Sequence, residues 1–279
     1  MILIPTPTPT PTPTVMGVIN LSAHSFYQAL PHYSDALKKA EQMVCDGAGI
    51  IDVGAIATNP FVNLETDTPS LQQELDLVIP FIELLSKKIN ITISVDTYRA
   101  DVMREAIASG AHMINDQHAL TEENALKTAV KLAVPVCLMH YFHVPRKQDN
   151  TLPVNGLTQI IHELQNHISR CLSAGIKKEN IIIDPGFGGG HFGKTADENF
   201  YLLANLKEII DLGFPVLVGL SRKIMFAEIQ TKIEDRLYAS IAAAVIAALQ
   251  GASIIRVHDV KETVDAMRVV ARIKEKEIA

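Results

Sequence analysis

The sequence predicts a single-domain (β/α)8 TIM barrel. Eight short apolar runs, of the kind that form buried parallel strands, alternate with eight helical patterns. Nearly every run ends in a polar or charged residue, so chemistry is expected along a whole rim and not at one switch point. The length of 279 residues suits one large α/β unit with a substantial core. A doubly wound sheet is the alternative, because pattern alone does not establish closure.

The chain opens with Met1-Ile-Leu-Ile4 and then alternates Pro and Thr to Thr14. Alternate residues there lack an amide donor, so residues 1–14 are expected to form an extended, poorly ordered leader. It reads as a spacer, with a proline-binding partner as the alternative. It lacks the basic start and long apolar core of a signal peptide. Residues 15–279 form the barrel domain. Strands are expected to end near Asn20, Asp52, Asp96, Asn115, His140, Asp184, Gly219 and His258. Helices are expected over 35–47, 69–88, 99–109, 121–132, 155–174, 197–212, 233–250 and 260–276. Ser34 or Asp35 is expected to cap the first helix and Gly47 to release it. Thr68-Pro69 is expected to start the second, and Ser109-Gly110 and Gly175 to mark helix ends. Ala239 to Leu249 is too short to span a bilayer and reads as a buried helix.

High aliphatic content without tryptophan fits buried parallel strands. A formal charge of −6 gives no support for nonspecific nucleic-acid binding, and no segment suits a membrane. Cys45, Cys137 and Cys171 are odd in number and widely spaced. They read as thiols in a reducing, cytoplasmic compartment and not as a disulfide framework or metal cluster.

Asp96 follows Ile91-Thr-Ile-Ser-Val95, so its carboxylate should emerge at the carboxyl end of a strand, where Asn115, Asp116 and Asp184 converge with it. A cap for the helix near Arg99 is its structural alternative. Asn115 both donates and accepts while Asp184 only accepts, a set able to read a heterocycle edge. Lys223, after Gly219-Leu-Ser-Arg222, supplies a cation near that edge or is a solvated lysine at a helix start. Arg256 and His258 alternate around Val257, which puts both on one side of a strand as a two-pronged anion site. An ion pair with Asp259 is the competing reading. The run from Gly186 to Lys194 lacks the Walker spacing and reads as a tight loop over the barrel mouth. His140, His143 and His191 are possible rim residues without a zinc pattern, and residue order assigns no nucleophile triad.

Taken together, the motifs resemble those of the dihydropteroate synthase family, from Met16 to about Ile278. The anchors are Met16-Gly-Val-Ile-Asn20, Ile50-Ile-Asp-Val53, Ile93-Ser-Val-Asp-Thr97, Ile114-Asn-Asp116, Cys137-Leu-Met-His140, Ile183-Asp-Pro-Gly186, Val218-Gly-Leu-Ser-Arg-Lys223 and Ile255-Arg-Val-His258. The resemblance implies a homodimeric barrel that joins para-aminobenzoate to 6-hydroxymethyl-7,8-dihydropterin diphosphate and releases diphosphate. It implies pterin-binding roles for Asp96, Asn115, Asp184 and Lys223, and a magnesium and diphosphate region at Asn20, Arg256 and His258, with Mg2+ as cofactor and Asn20 as its ligand. Ser221 falls near the aminobenzoate pocket and Thr58 in the second substrate-binding loop. Asp96, Lys223, Arg256 and His258 are the expected catalytic set. The chain departs from the family pattern at four places. His24 replaces a loop aspartate, and Asn59 replaces an arginine. Gln117-His118 replaces Ile-Arg, and about three residues are added to the glycine loop. A pterin-binding homologue without turnover is the alternative these changes raise.

Overall fold

The computed structural model describes residues 12–22, 30, 32–56, 66–142, 156–189 and 193–277. Eight parallel strands are β1 (Thr14–Asn20), β2 (Ile50–Gly54), β3 (Thr92–Asp96), β4 (Met113–Asp116), β5 (Val136–Met139), β6 (Ile181–Asp184), β7 (Leu217–Val218) and β8 (Ile254–Val257). They form one sheet in the order β6-β5-β4-β3-β2-β1-β8-β7. A parallel bridge between Ile183 and Val216, with the Ile183 N–H donating to Pro215 O at 3.0 Å, joins its two ends. The sheet is a closed barrel, not a doubly wound one. Around it run α1 (Tyr33–Cys45), α2 (Leu71–Lys88), α3 (Ala100–Ala108), α4 (Ala125–Leu132), α5 (Gly156–Ala174), α6 (Ala196–Ala204), α7 (Leu206–Ile210), α8 (Leu237–Gln250) and α9 (Val260–Glu277).

The two-residue period of the strands sorts their side chains. Met16, Ile50, Met113, Cys137, Ile182, Leu217 and Ile254 pack against one another as an apolar floor inside the barrel. Their sequence neighbours Val15, Ile51, Ile114, Val136, Ile181, Ile183, Val218 and Ile255 face outward into the larger core shared with the helices. Strands β2, β3, β4, β6 and β8 therefore carry polar inward residues above the floor, and these are Asp52, Ser94, Asp96, Asn115, Asp184 and Arg256. Apolar filling below and polar residues above set the height at which chemistry begins.

Several helix boundaries depart from the expected ones. The N-cap of α1 is His32 without a side-chain cap, so neither Ser34 nor Asp35 fills that role. The second helix is started by Ser70, whose side chain forms a capping box with Gln73; the Pro69 carbonyl is taken by Arg99 at 2.7 Å instead. The pattern over 197–212 breaks at Asn205 into α6 and α7. There the Gln250 side chain donates to Leu203 O and accepts from Lys207 N, replacing bonds that a continuous helix would make internally. Helix α8 buries Ser240, Ala243, Ala244, Ala247 and Ala248 but leaves Tyr238 82% exposed, with Ile246 and Leu249 on the same exposed face. Only one side of this helix is covered, which corrects the expectation of a buried one.

Pro80 lies inside α2 and cannot donate to Asp76 O, the acceptor four residues earlier. The Tyr33 hydroxyl lies 2.8 Å from that carbonyl and 2.9 Å from Leu77 O, so α1 supplies the missing donor. Tyr33→Phe should lower stability by about 1 kcal/mol, read as a fall in the urea midpoint at constant slope. An unchanged midpoint would mean that solvent satisfies the carbonyl equally well.

Candidate active site

The polar layer above the barrel floor centres on Arg256. Its Nε donates to Asp52 Oδ2 at 2.6 Å and a terminal nitrogen donates to Asp96 Oδ2, also at 2.6 Å. Asn115 Nδ2 donates to the same Asp52 oxygen at 3.1 Å. Burial by itself would lower the Arg256 pKa, yet the two carboxylates hold it above its ordinary value. Burial raises Asp96 to about 7, against the lowering effect of Arg256 and with a further push from Asp52. Arg256 thus pairs with Asp52 and Asp96, and Asp96 does not cap α3, whose N-cap Arg99 has no side-chain cap.

Asp52 was not among the expected site residues. It is fully buried and orients both Asn115 and Arg256. Its signal was legible: a carboxylate in the middle of the apolar run Ile50-Ile-Asp-Val needs a buried partner.

On the opposite wall, Asp184 ends β6 and accepts from the Gly186 N–H at 2.7 Å. Burial raises its pKa against that bond and against the nearby Lys223, Arg256 and Lys194 charges. Gly186 has φ 72°, and a Cβ there would lie 2.0 Å from His140 O, so this turn admits only glycine. Lys194, almost completely buried, donates to Pro185 O and Gly186 O at 3.0 and 2.8 Å. Lys223 closes the wall, its Nζ 3.3 Å from the position of a Cβ on Gly188. Burial lowers Lys223 to about 8, reinforced by Arg256 and opposed by Asp184 and Asp96. This half-buried amine belongs to the mouth and is not a solvated lysine.

His258 continues β8 past Val257, and its Nδ1 lies 3.1 Å from Ser221 Oγ, which also accepts from the His258 N–H at 3.2 Å. Burial, with Arg256 next, lowers His258 to about 3, so the ring is neutral at physiological pH. Asp259 does not pair with Arg256. It binds Arg222 in a bidentate fork with both contacts at 2.8 Å, and Arg222 further donates to Ile233 O and Glu234 O. That buried fork fixes the loop carrying Ser221 and Lys223. Asn20 ends β1 with Oδ1 accepting from Ser22 N at 2.9 Å. Thr58, His24, Asn59, His143 and His191 lie outside the described residues. His140 is not in the mouth: it is buried behind β5, 2.9 Å from Glu163, and pulled by burial to about 4.

Asp96, Asn115, Asp184, Lys223, Arg256 and His258 thus converge on one barrel mouth. A family model for pterin-binding enzymes covers residues 16–258, and the dihydropteroate synthase of Haemophilus influenzae is 45% identical over 259 residues, spanning 91% of this chain and 92% of its own. The chain belongs to the dihydropteroate synthase family of pterin-binding enzymes. The Escherichia coli dihydropteroate synthase is 44% identical, over 92% of this chain and 90% of its own. A Coxiella burnetii dihydropteroate synthase solved with pteroic acid superposes with a TM-score of 0.90 at 48% identity, covering 95% of this chain and 94% of that one. A Yersinia pestis dihydropteroate synthase solved with a sulfonamide drug gives 0.86 at 41% identity, covering 95% of each.

Within this family barrel, the loop after β4 has its own construction. The Asp116 carboxylate accepts from the His118 and Leu120 N–H groups at 2.7 and 2.8 Å. The His118 ring stacks between Tyr98 and Tyr141, with centroids 4.2 and 4.9 Å away. Ala119 and Leu120 both take positive φ, 50° and 59°, a conformation L residues enter only when surroundings enforce it. Between them and β4, Gln117 Nε2 donates to Asp96 Oδ1 and Oδ2 at 2.8 and 3.1 Å.

No group of three or more His, Cys, Asp or Glu that could hold a metal occurs among the described residues. Asn20 offers a hard amide oxygen on the strand beside β8. Such a donor fits a magnesium ion whose remaining ligands are phosphate oxygens and water.

Proposed function

We propose that this barrel condenses 6-hydroxymethyl-7,8-dihydropterin diphosphate with para-aminobenzoate, giving dihydropteroate and diphosphate. The observation that carries the reading is the single buried set of complementary groups: acceptors Asp96 and Asp184, the two-way amide of Asn115, and the cations Lys223 and Arg256. Relatives at 44–45% identity over nine-tenths of the chain bear the dihydropteroate synthase name, and a structural neighbour holds pteroic acid.

Asp96, Asn115 and Asp184 bind the pterin edge, and Lys223 holds its side opposite the floor. Arg256 and neutral His258 donate hydrogen bonds to the diphosphate. The bond between the exocyclic methylene and oxygen breaks with its electron pair leaving on diphosphate. The aniline nitrogen then attacks the methylene and releases a proton. An aromatic amine is already nucleophilic when neutral, so placement and charge stabilisation supply most of the acceleration. Asn20 would help hold Mg2+, which when bound neutralises charge on the departing diphosphate. Ser221, anchored by His258, and Thr58 are assigned to the acceptor side.

The protein is further proposed to act as a cytoplasmic homodimer. Cys45, Cys137 and Cys171 are unpaired thiols, as suits a reducing compartment. Among the described residues no helix is long and apolar enough to cross a membrane. The exposed apolar face of α8, with Val269 and Ile273 of neighbouring α9, is the surface for the second copy.

Purified protein with both substrates and magnesium should yield dihydropteroate and diphosphate, identified by mass. Asp96→Ala or Arg256→Ala should reduce kcat/KM by about 10–150-fold, the equivalent of one charged hydrogen bond. A folded protein that binds the pterin but forms no product would sink the catalytic reading. Affinity for the pterin diphosphate should depend on pH in a definite sense. It rises as Asp96 ionises through about 7 and falls as Lys223 loses its proton above about 8; titration calorimetry across that range with a flat profile would contradict these roles. Ile246→Glu should convert the dimer to monomer in sedimentation runs. A wild-type protein that is monomeric at assay concentration would refute the dimer.

A further inference from the structure

We propose that Gln117 is a positioning residue: its side-chain amide, fixed by the loop after β4, orients and polarises the Asp96 carboxylate for the pterin. The inference rests on the assignment of Asp96 to pterin binding and adds a residue at which this chain departs from the family's Ile-Arg pattern.

The geometry is specific. Arg256 reaches only Asp96 Oδ2 and is shared with Asp52, so that contact alone leaves the carboxylate plane free to turn. Gln117 Nε2 spans both oxygens, at 2.8 Å to Oδ1 and 3.1 Å to Oδ2, and removes that freedom. The amide can hold this position because its loop is pinned on each side. Asp116 captures two backbone N–H groups beyond it, Arg170 donates to Ala119 O, and the adjacent His118 ring is clamped between Tyr98 and Tyr141. Two successive residues at positive φ are the cost of presenting Gln117 inward.

A neutral donor is also the right kind of group. Asp96 is faced by Arg256 from β8, Asp52 from β2, Glu74 from α2, Asp116 from β4 and Lys223 beyond β7. A further cation here would compete with Lys223 and Arg256 for carboxylate and would change the charge offered to diphosphate. An amide stabilises the anion and changes no charge. Burial raises the Asp96 pKa, and the Gln117 bond opposes that rise.

The test is calorimetric titration of wild type, Gln117→Leu, Gln117→Glu and Asp96→Asn with 6-hydroxymethyl-7,8-dihydropterin diphosphate, between about pH 6 and pH 9. Gln117→Leu should move the acid limb of the affinity profile upward by about one pH unit, a loss of about fivefold at pH 7 that approaches about tenfold at pH 6. The ratio to wild type should return toward one at the alkaline end. Gln117→Glu, of the same shape but acidic, should move the limb further. An unmoved limb in both variants, or a loss equal at every pH, would overturn the positioning role and leave Gln117 a structural residue. Asp96→Asn separates the two levels of argument: it should abolish the acid limb. If it keeps wild-type affinity and profile, the assignment of Asp96 itself fails.

Discussion

One guanidinium between two buried carboxylates organises this molecule. Arg256 binds Asp52 and Asp96 at 2.6 Å each above a floor of Met, Ile, Leu and Cys side chains. Charges that deep persist only when paired and hydrogen-bonded, and removing one partner of such a pair typically costs about 3–5 kcal/mol. Asp52 sits on β2, Asp96 on β3 and Arg256 on β8, with Asn115 of β4 tied to the same Asp52 oxygen. The pairing therefore links half the barrel's circumference and fixes the height of the substrate floor at the same time. It also leaves two carboxylates for one cation, so the site favours a ligand that brings hydrogen-bond donors to Asp96.

The rest of the mouth is held by side chains that touch no substrate in the proposed reaction. Arg222 grips Asp259 and two loop carbonyls, and so fixes Lys223 and Ser221. Lys194 ties the carbonyls of Pro185 and Gly186 and so fixes the turn after Asp184. The Tyr98–His118–Tyr141 stack does the same for the loop after β4. Each is a buried or half-buried polar anchor on an otherwise irregular segment, where backbone groups lack a regular ladder to satisfy them. Preorganisation of this kind is what a reaction driven by placement requires.

Residues read from local pattern fell where strand periodicity puts them. Asp96, Asn115, Asp184, Arg256 and His258 were legible because each follows an apolar run with a fixed alternation of faces. Contacts between distant segments were not legible. Nothing in the order of residues shows that Asp259 belongs to Arg222 and Arg256 to Asp52, or that Gln117 reaches Asp96. Capping at Ser70 was missed for a related reason: Thr68-Pro69 is an equally good local signal, and the choice was settled by Arg99 drawing Pro69 O out of the helix.

The sequence by itself determined the alternation of strands and helices, the polar residues that follow most strands and the family pattern, because inward and outward alternation is a property of each strand alone. The tertiary structure decided the charge partners, the neutral state of His258, the shifted acidity of Asp96 and the role of Asp52. Those depend on burial and on which strands become neighbours when β6 meets β7, and closure of the barrel fixes both.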